Sequence, residues 1–257
     1  MKNLFLIILS SFLFSCSNDN ETHNNGLLKK ITTYGYTNFG TKILKEKELR
    51  IYYTNENKID YIQVEYFDTF DPKKTTTTKF FYTGDLITSK DRFTGNYTPS
   101  DIHNEYFEYD NKNRVVKYKN NDDSARHEYT YEYPTNGNIL VTQFDRFGIN
   151  YFPSHSYEMI LDQNLNITGY SNIENTSIFD DKVSAINGII GLDKIYFINT
   201  QGYDTFNMSY SNNKILDYGK DILGLDVQQN YSYKYNANNK PTKKYIENKL
   251  YFEYEYY

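Results

Sequence analysis

The chain has 257 residues, a net charge of −5, and 29 Tyr and 17 Phe but no Trp. Hydrophobic content is 39% and aromatic content 18%, so rings supply much of the burial and disorder is excluded as the general state. No strongly basic patch stands out; the densest run, Arg114 to Lys119, alternates with apolar residues, which makes nucleic acid a poor partner.

The chain begins "MKNLFLIILSSFLFSC". Lys2 gives a short basic start, and Leu4 to Leu9 with Phe12 to Phe14 form an apolar stretch too short to span a bilayer as a stable helix. Leu13, Phe14 and Ser15 precede Cys16, the only cysteine. This resembles a bacterial lipoprotein signal, with Leu at −3, a small residue at −1 and an obligatory Cys; Phe14 at −2 is bulkier than usual. The resemblance implies that residues 1–15 are a signal peptide, that Cys16 becomes the first residue, and that three acyl chains are attached to it. At about 0.8 kcal/mol per buried methylene, three chains give lasting anchoring. The alternative is a plain secretory signal with an incidental Cys. A lipidated Cys16 leaves no thiol for a disulfide, a metal thiolate or a nucleophile.

Residues 16–26 read as a lipidated Cys and a flexible polar tether. Asp19 and Glu21 resemble the acidic export signal of surface lipoproteins in Bacteroidetes-type bacteria, although Asn18 lacks the expected charge. A solvated linker is the alternative. The expected location is the bacterial outer membrane, facing either the surface or the periplasm.

Residues 27–257 read as a single β-repeat domain. Hydrophobicity alternates at period two, the strand signal. In "HEYTYEY", Tyr129, Tyr131 and Tyr133 share one face; in "YSYKY", Tyr231, Tyr233 and Tyr235 do so; in "LYFEYEYY", Phe252, Tyr254 and Tyr256 do so. Turn chemistry recurs between strands: "TNENKID" after Tyr53, "DNKNRVV" after Tyr109, "PTNGNIL" after Tyr133 and "NANNKPT" after Tyr235. Shorter versions are "TGDLI" after Tyr82 and "SNNKIL" after Tyr210, and "DQNLNIT" after Leu161 is more divergent. Tight hairpins need residues at positive φ, which Gly accepts freely and Asn more readily than most. Asn57, Asn113, Asn239 and Gly137 are the candidates. The aromatic before each turn and the apolar residue after it should then pair across strands.

Clear turns fall roughly 25 to 30 residues apart, an internal repeat of hairpins. Further strands are expected over Leu140 to Asp145 and Lys194 to Asn199, and residues 180–195 form a short helix or a long loop. The predicted fold is all-β: a large antiparallel meander that must curl, close into a barrel or split into layers.

Tyr109-Asp110-Asn111-Lys112-Asn113-Arg114-Val115 is similar to the tyrosine–aspartate (YD) repeats of bacterial surface and toxin-shell proteins, with Asn113 in place of Gly. With the lipobox, residues 30–257 resemble Bacteroidetes-type envelope lipoproteins of uncharacterised function with Tyr- and Asn-rich hairpins. That resemblance implies a porin-like or curled sheet, and it brings no catalytic residues with it.

Chemical motifs are sparse. "DQNLNITGYSNI" starts like a calcium loop at Asp162, Asn164 and Asn166, but Ile167 and Ile173 stand where Gly and Glu are needed. Asp68 with Asp71, and Asp122 with Asp123, pair acids in loops. His23, His103, His127 and His155 show no zinc spacing. Ser154, His155 and Ser156 adjoin, but strand neighbours point to opposite faces, so they form no Ser–His dyad by themselves. Asp123-Ser124-Ala125 resembles the short O-glycosylation site of Bacteroidetes-type envelope proteins, with Ser124 as acceptor. No metal and no cofactor is expected. The leading expectation is a non-enzymatic envelope protein that binds a glycan, peptide or protein through tyrosine faces. The alternatives are a passive structural or immunity-type lipoprotein, and a glycan hydrolase, which needs two carboxylates about 5–10 Å apart.

Overall fold

Period-two segments joined by turn-formers have one economical arrangement, in which each strand pairs with the next. A computed structural model of the chain, describing residues 26–36, 43–67, 75–95, 104–121, 127–147, 150–198, 211–220 and 224–257, has that arrangement. The strands are β1 (Leu28–Tyr36), β2 (Ile43–Tyr53), β3 (Ile59–Tyr66), β4 (Thr75–Thr83), β5 (Leu86–Thr94), β6 (Glu105–Tyr109), β7 (Val115–Asn120) and β8 (His127–Glu132). They continue as β9 (Ile139–Phe147), β10 (Asn150–Leu161), β11 (Ile167–Tyr170), β12 (Asn175–Val183), β13 (Asn212–Lys220), β14 (Asp226–Tyr235), β15 (Pro241–Ile246) and β16 (Lys249–Tyr256). One short helix, α1 (Leu192–Ile195), interrupts the described strands.

All sixteen strands belong to one antiparallel meander, in the order β11 back to β1, then β16 back to β12. The sheet is nearly closed into a barrel. Pairing of β1 with β16 joins the two ends of the sheet domain, Ile31 lying opposite Tyr254. The sheet therefore ends at β11 and β12, which are consecutive in the chain. This seam is stapled by side chains. The Tyr170 N–H donates to Asn175 Oδ1 across it at 3.2 Å, and beside it Asn166 Nδ2, in the turn before β11, donates to Asn212 Oδ1 of β13 at 3.0 Å.

The turns take the expected residues. Asn57, Asn113, Asn239 and Gly137 all have positive φ, between 57° and 86°. Tyr53 lies opposite Ile59, Tyr82 opposite Ile87, Tyr109 opposite Val115, and Tyr235 opposite Pro241. Asp110 shows how a turn is held. Its Oδ1 accepts the N–H groups of Lys112 and Arg114, both at 2.9 Å, and its Oδ2 accepts two guanidinium donors of Arg114. Asp162 does the same in the divergent turn, accepting from Asn164 and Asn166, so the calcium-like sequence is a hairpin turn. Leu165 there has φ 64°, a strained setting for a branched-chain residue.

Four of these turns carry a β-bulge, visible as a register shift beside Tyr53, Tyr82, Tyr109 and Tyr235. A bulge interrupts the ladder and exposes main-chain groups. The tyrosine hydroxyl of the next hairpin meets them. Tyr53 donates to Leu28 O, Tyr109 to Ile87 O, Tyr133 to Val115 O and Tyr256 to Pro241 O, each at 2.7 Å, and the Ile59 N–H donates to Tyr82 at 3.1 Å. The regular spacing of the repeat is thus a row of tyrosine rungs linking hairpin to hairpin.

Register separates two faces. The concave face carries Leu28, Ile31, Leu49, Ile51, Ile62, Ile87, Val115, Tyr118, Val141 and Tyr254, one contiguous buried cluster. The convex face carries charge. Lys30 pairs with Glu48 and Glu255, Lys243 with Glu253 at 2.6 Å, Lys117 with Glu128 at 2.8 Å, and Lys79 with Asp60 at 3.5 Å.

Residues 184–198 plug the barrel at the end where the tight turns gather. Ala185, Ile186, Ile189, Leu192 and Ile195 are buried there, and Phe197 packs edge-on against Tyr131 with centroids 5.4 Å apart. Lys240 Nζ ties the plug down by donating to Gly26 O and Asn187 O. This corrects two expectations. Lys194 to Ile198 is helix and turn rather than strand, because its apolar residues face one packed cluster instead of alternating faces; Asn199 lies outside the described residues. "SNNKIL" is no hairpin turn: Asn212 to Leu216 lie within β13. Leu140 to Asp145 lie within β9 as expected.

Candidate binding site

The residues expected from the lipobox and export signal, Leu13, Phe14, Ser15, Cys16, Asp19 and Glu21, lie outside the described residues. So do the candidate glycosylation residue Ser124, the acid pairs Asp68/Asp71 and Asp122/Asp123, and His23 and His103. Among the described residues no group of three His, Cys, Asp or Glu could hold a metal.

The concave face remains. Along β8, β9, β10 and β14 it grades from buried near the plug to exposed at the far end. On β9, Ile139 and Val141 are buried, Gln143 is half-buried and Asp145 is exposed. On β14, Tyr231, Tyr233 and Tyr235 are half-buried while Val227 and Gln229 are exposed. The barrel is thus packed at the plug end and accessible at the other, a concave shape suited to holding a ligand.

Two polar clusters line the accessible part. On one wall, Asp145 is held by Gln143, Ser154 and His127, and these contacts keep its carboxyl below the usual range. Ser154 Oγ lies 3.3 Å from His155 Nδ1. The alternation rule does not separate these two, because Ser154 is the extra residue of a bulge between Pro153 and His155. The contact still lacks the relay of a hydrolase. Asp145 touches Ser154 and His127; among the described residues no carboxylate contact to His155 is present, and the His155 ring stacks on Tyr157.

On the opposite side of the seam, β15 places Lys244 on the concave face between Tyr233 of β14 and Phe252 of β16. Its ammonium lies 4.4 Å from the Tyr231 ring centroid, 5.5 Å from that of Phe252 and 5.9 Å from that of Tyr233. Burial, with the Lys214 charge beside it, brings its pKa down to about 8, against a smaller upward pull from Asp217. Burial alone would raise Asp217, but donors from Ser177, Lys214 and Tyr231 outweigh it and hold the carboxyl low. Burial likewise pushes the Tyr231 and Tyr233 hydroxyls up, so both stay neutral donors. The sequence reading named the tyrosine faces but missed Lys244. Its signal was there: an apolar-face position of a period-two strand occupied by a lysine.

The other described acids on this face have partners of their own. Glu105 accepts from Tyr118 at 2.9 Å and pairs with Lys90 at 3.2 Å, and Asp180 accepts from Tyr235 and the Asn213 N–H. A separate cleft of about 560 Å³ lies outside, between the β4–β5 turn and the plug, lined by Gly84, Asp85, Asn113, Gly191, Asp193 and Lys194.

No family model matches the chain, and no curated protein matches it. Among solved structures it is similar to a porin-like protein from Bacteroides uniformis, with 8% identity, a TM-score of 0.43, and coverage of 90% of this chain and 98% of that one. It is also similar to a porin-like protein from Bacteroides vulgatus, with 14% identity, a TM-score of 0.40, and coverage of 90% of this chain and 99% of that one.

Proposed function

We propose that the protein is a non-enzymatic outer-membrane lipoprotein, anchored through Cys16, whose barrel stands in water and binds a glycan on its tyrosine-lined concave face. The observation that carries this reading is the division between the two faces. Charged pairs such as Lys243–Glu253 and Lys117–Glu128 occupy the convex side, where a membrane barrel needs an apolar band. Rings and a few polar groups occupy the concave side. A passive role would suit an interior filled throughout and a fully paired set of polar groups. Here the far half of the concave face is accessible and Lys244 is held only by rings among the described residues.

A glycan fits this face better than a peptide strand does. Strand addition needs unpaired main-chain groups, and around Lys244 β15 is paired on both sides, with β14 and with β16. Rings and hydroxyls remain, and both suit a polyol. The test is affinity capture of envelope polysaccharide fragments on immobilised protein. Retention above that of a Tyr231→Ala variant is expected; equal retention by both ends the glycan reading. The anchor is tested apart from it: Cys16→Ala should move the protein from the membrane to the soluble fraction.

A further inference from the structure

We infer that Lys244, with Lys214 beside it, is an anion-recognition point that takes the carboxylate of an acidic sugar, a uronic acid, entering the barrel. The inference rests on the glycan reading above and names the chemical class of the glycan. The argument begins with charge. Facing Lys244 are Tyr231 and Tyr233 from β14, Phe252 from β16, and Lys214 and Asp217 from β13. Asp217 is the one acid in this set, and its oxygens are taken by Ser177 at 2.5 Å, by Lys214 at 3.0 and 3.2 Å, and by Tyr231 at 2.8 Å. Two further acids act on the neighbouring tyrosines, Asp180 and Glu247, and they accept from Tyr235 and Asn213 and from Asn230, so among the described residues Lys244 is the cation left without a contacting counter-charge.

Lys244 is the group without an answer. Among the described residues it has no carboxylate within ion-pair distance and no hydrogen-bond acceptor; its close neighbours are aromatic rings. Rings stabilise an ammonium through their faces but leave its donors unsatisfied. A partly desolvated ammonium without an acceptor is unfavourable unless something supplies one. A carboxylate is acceptor-only and would satisfy it, with a charge-assisted bond stronger than one to a neutral hydroxyl. The same rings bound the sugar's apolar faces. The amine titrates near pH 8. An anion bound there favours the protonated form, so binding should take up protons near that pH and weaken above it.

The test is calorimetric titration of the intact protein, in detergent micelles, with trigalacturonate, its methyl ester and neutral galactotriose. At pH 7 the acid should bind about tenfold or more tightly than its ester. The advantage should vanish at pH 9.5, where the ligand stays ionised but Lys244 does not. It should vanish in Lys244→Met and persist in Lys244→Arg. Near pH 8, buffers of different ionisation enthalpy should reveal proton uptake with wild type and none with Lys244→Met. Equal binding of acid and ester by wild type, or an acid preference retained in Lys244→Met, overturns this inference and leaves the glycan reading standing. Failure of all three sugars to bind overturns both. Should Lys244→Met not fold, the pH 9.5 arm on wild type decides alone.

Discussion

Tyr109 and Glu48 show what single residues do in this sheet, one on each face. The Tyr109 hydroxyl bonds Ile87 O in the neighbouring hairpin, where a bulge interrupts the ladder. Tyr109→Phe should cost roughly 1 kcal/mol, and up to about 3 kcal/mol if the carbonyl is left unsatisfied. Urea unfolding measures it; a loss no larger than that of an exposed substitution such as Lys112→Ala would remove the rungs from the account. The sequence displayed a tyrosine before most of the turns but not its partner, which for Tyr109 lies 22 residues upstream in another hairpin. Backbone need was legible at Asn57, Asn113 and Asn239, because positive φ is a local property. Leu165 was not legible, because Asp162 and Asn166 impose its conformation from either side. On the convex face, Glu48 has a nearly buried side chain that accepts from Lys45 and Arg50 at 2.6 Å. Burial would raise its pKa, but the two cations outweigh that and hold it low. A lowered folded pKa means the stabilisation is present above the unfolded value, about 4.3, and is lost as pH falls through the folded one. Glu48→Gln should therefore lower stability near pH 7 by about 1–3 kcal/mol and flatten its decline below pH 4.5. Melting curves from pH 3 to 7 give both quantities.

At the scale of elements, hairpins were legible and the plug was not. Hairpins repeat, so each unit corroborates the others; the plug occurs once and its apolar run is compatible with strand or helix. Its identity comes from the cavity it fills at the turn end. Ile189 is fully buried there. A β-carbon on Gly191, which has φ 85°, would lie 2.9 Å from Ile87 Cγ1 and 3.0 Å from Asp85 O. Ile189→Ala should cost about 2–5 kcal/mol through lost burial and an unfilled space. Gly191→Ala should also destabilise, from both the contact and the positive φ. Denaturant midpoints provide the comparison. A plug that merely rests on the rim would leave both variants near wild type.

For the whole molecule, the period-two pattern told which residues share a face but not which face becomes concave. Curvature settles that: the face with larger, apolar side chains closed inward, and the face with alternating Lys and Glu turned outward. The direction has a functional consequence. A barrel in the hydrocarbon would set Lys30, Lys117, Glu128, Lys243 and Glu253 against lipid, at roughly 2–4 kcal/mol for each Lys near the midplane and less for each acid. Several such charges across neighbouring strands outweigh what the exposed apolar residues Ile160, Ile178 and Tyr218 could return by burial. The plug, moreover, obstructs one end of the lumen with buried Ile186, Ile189 and Leu192. The protein should therefore form no channel. Added to a planar bilayer at concentrations where a porin inserts, it should produce no stepwise conductance, and the Cys16→Ala form should stay monodisperse without detergent. Discrete conductance steps from the purified chain would mean that the charged convex face meets lipid after all, and the water-standing barrel would have to be given up.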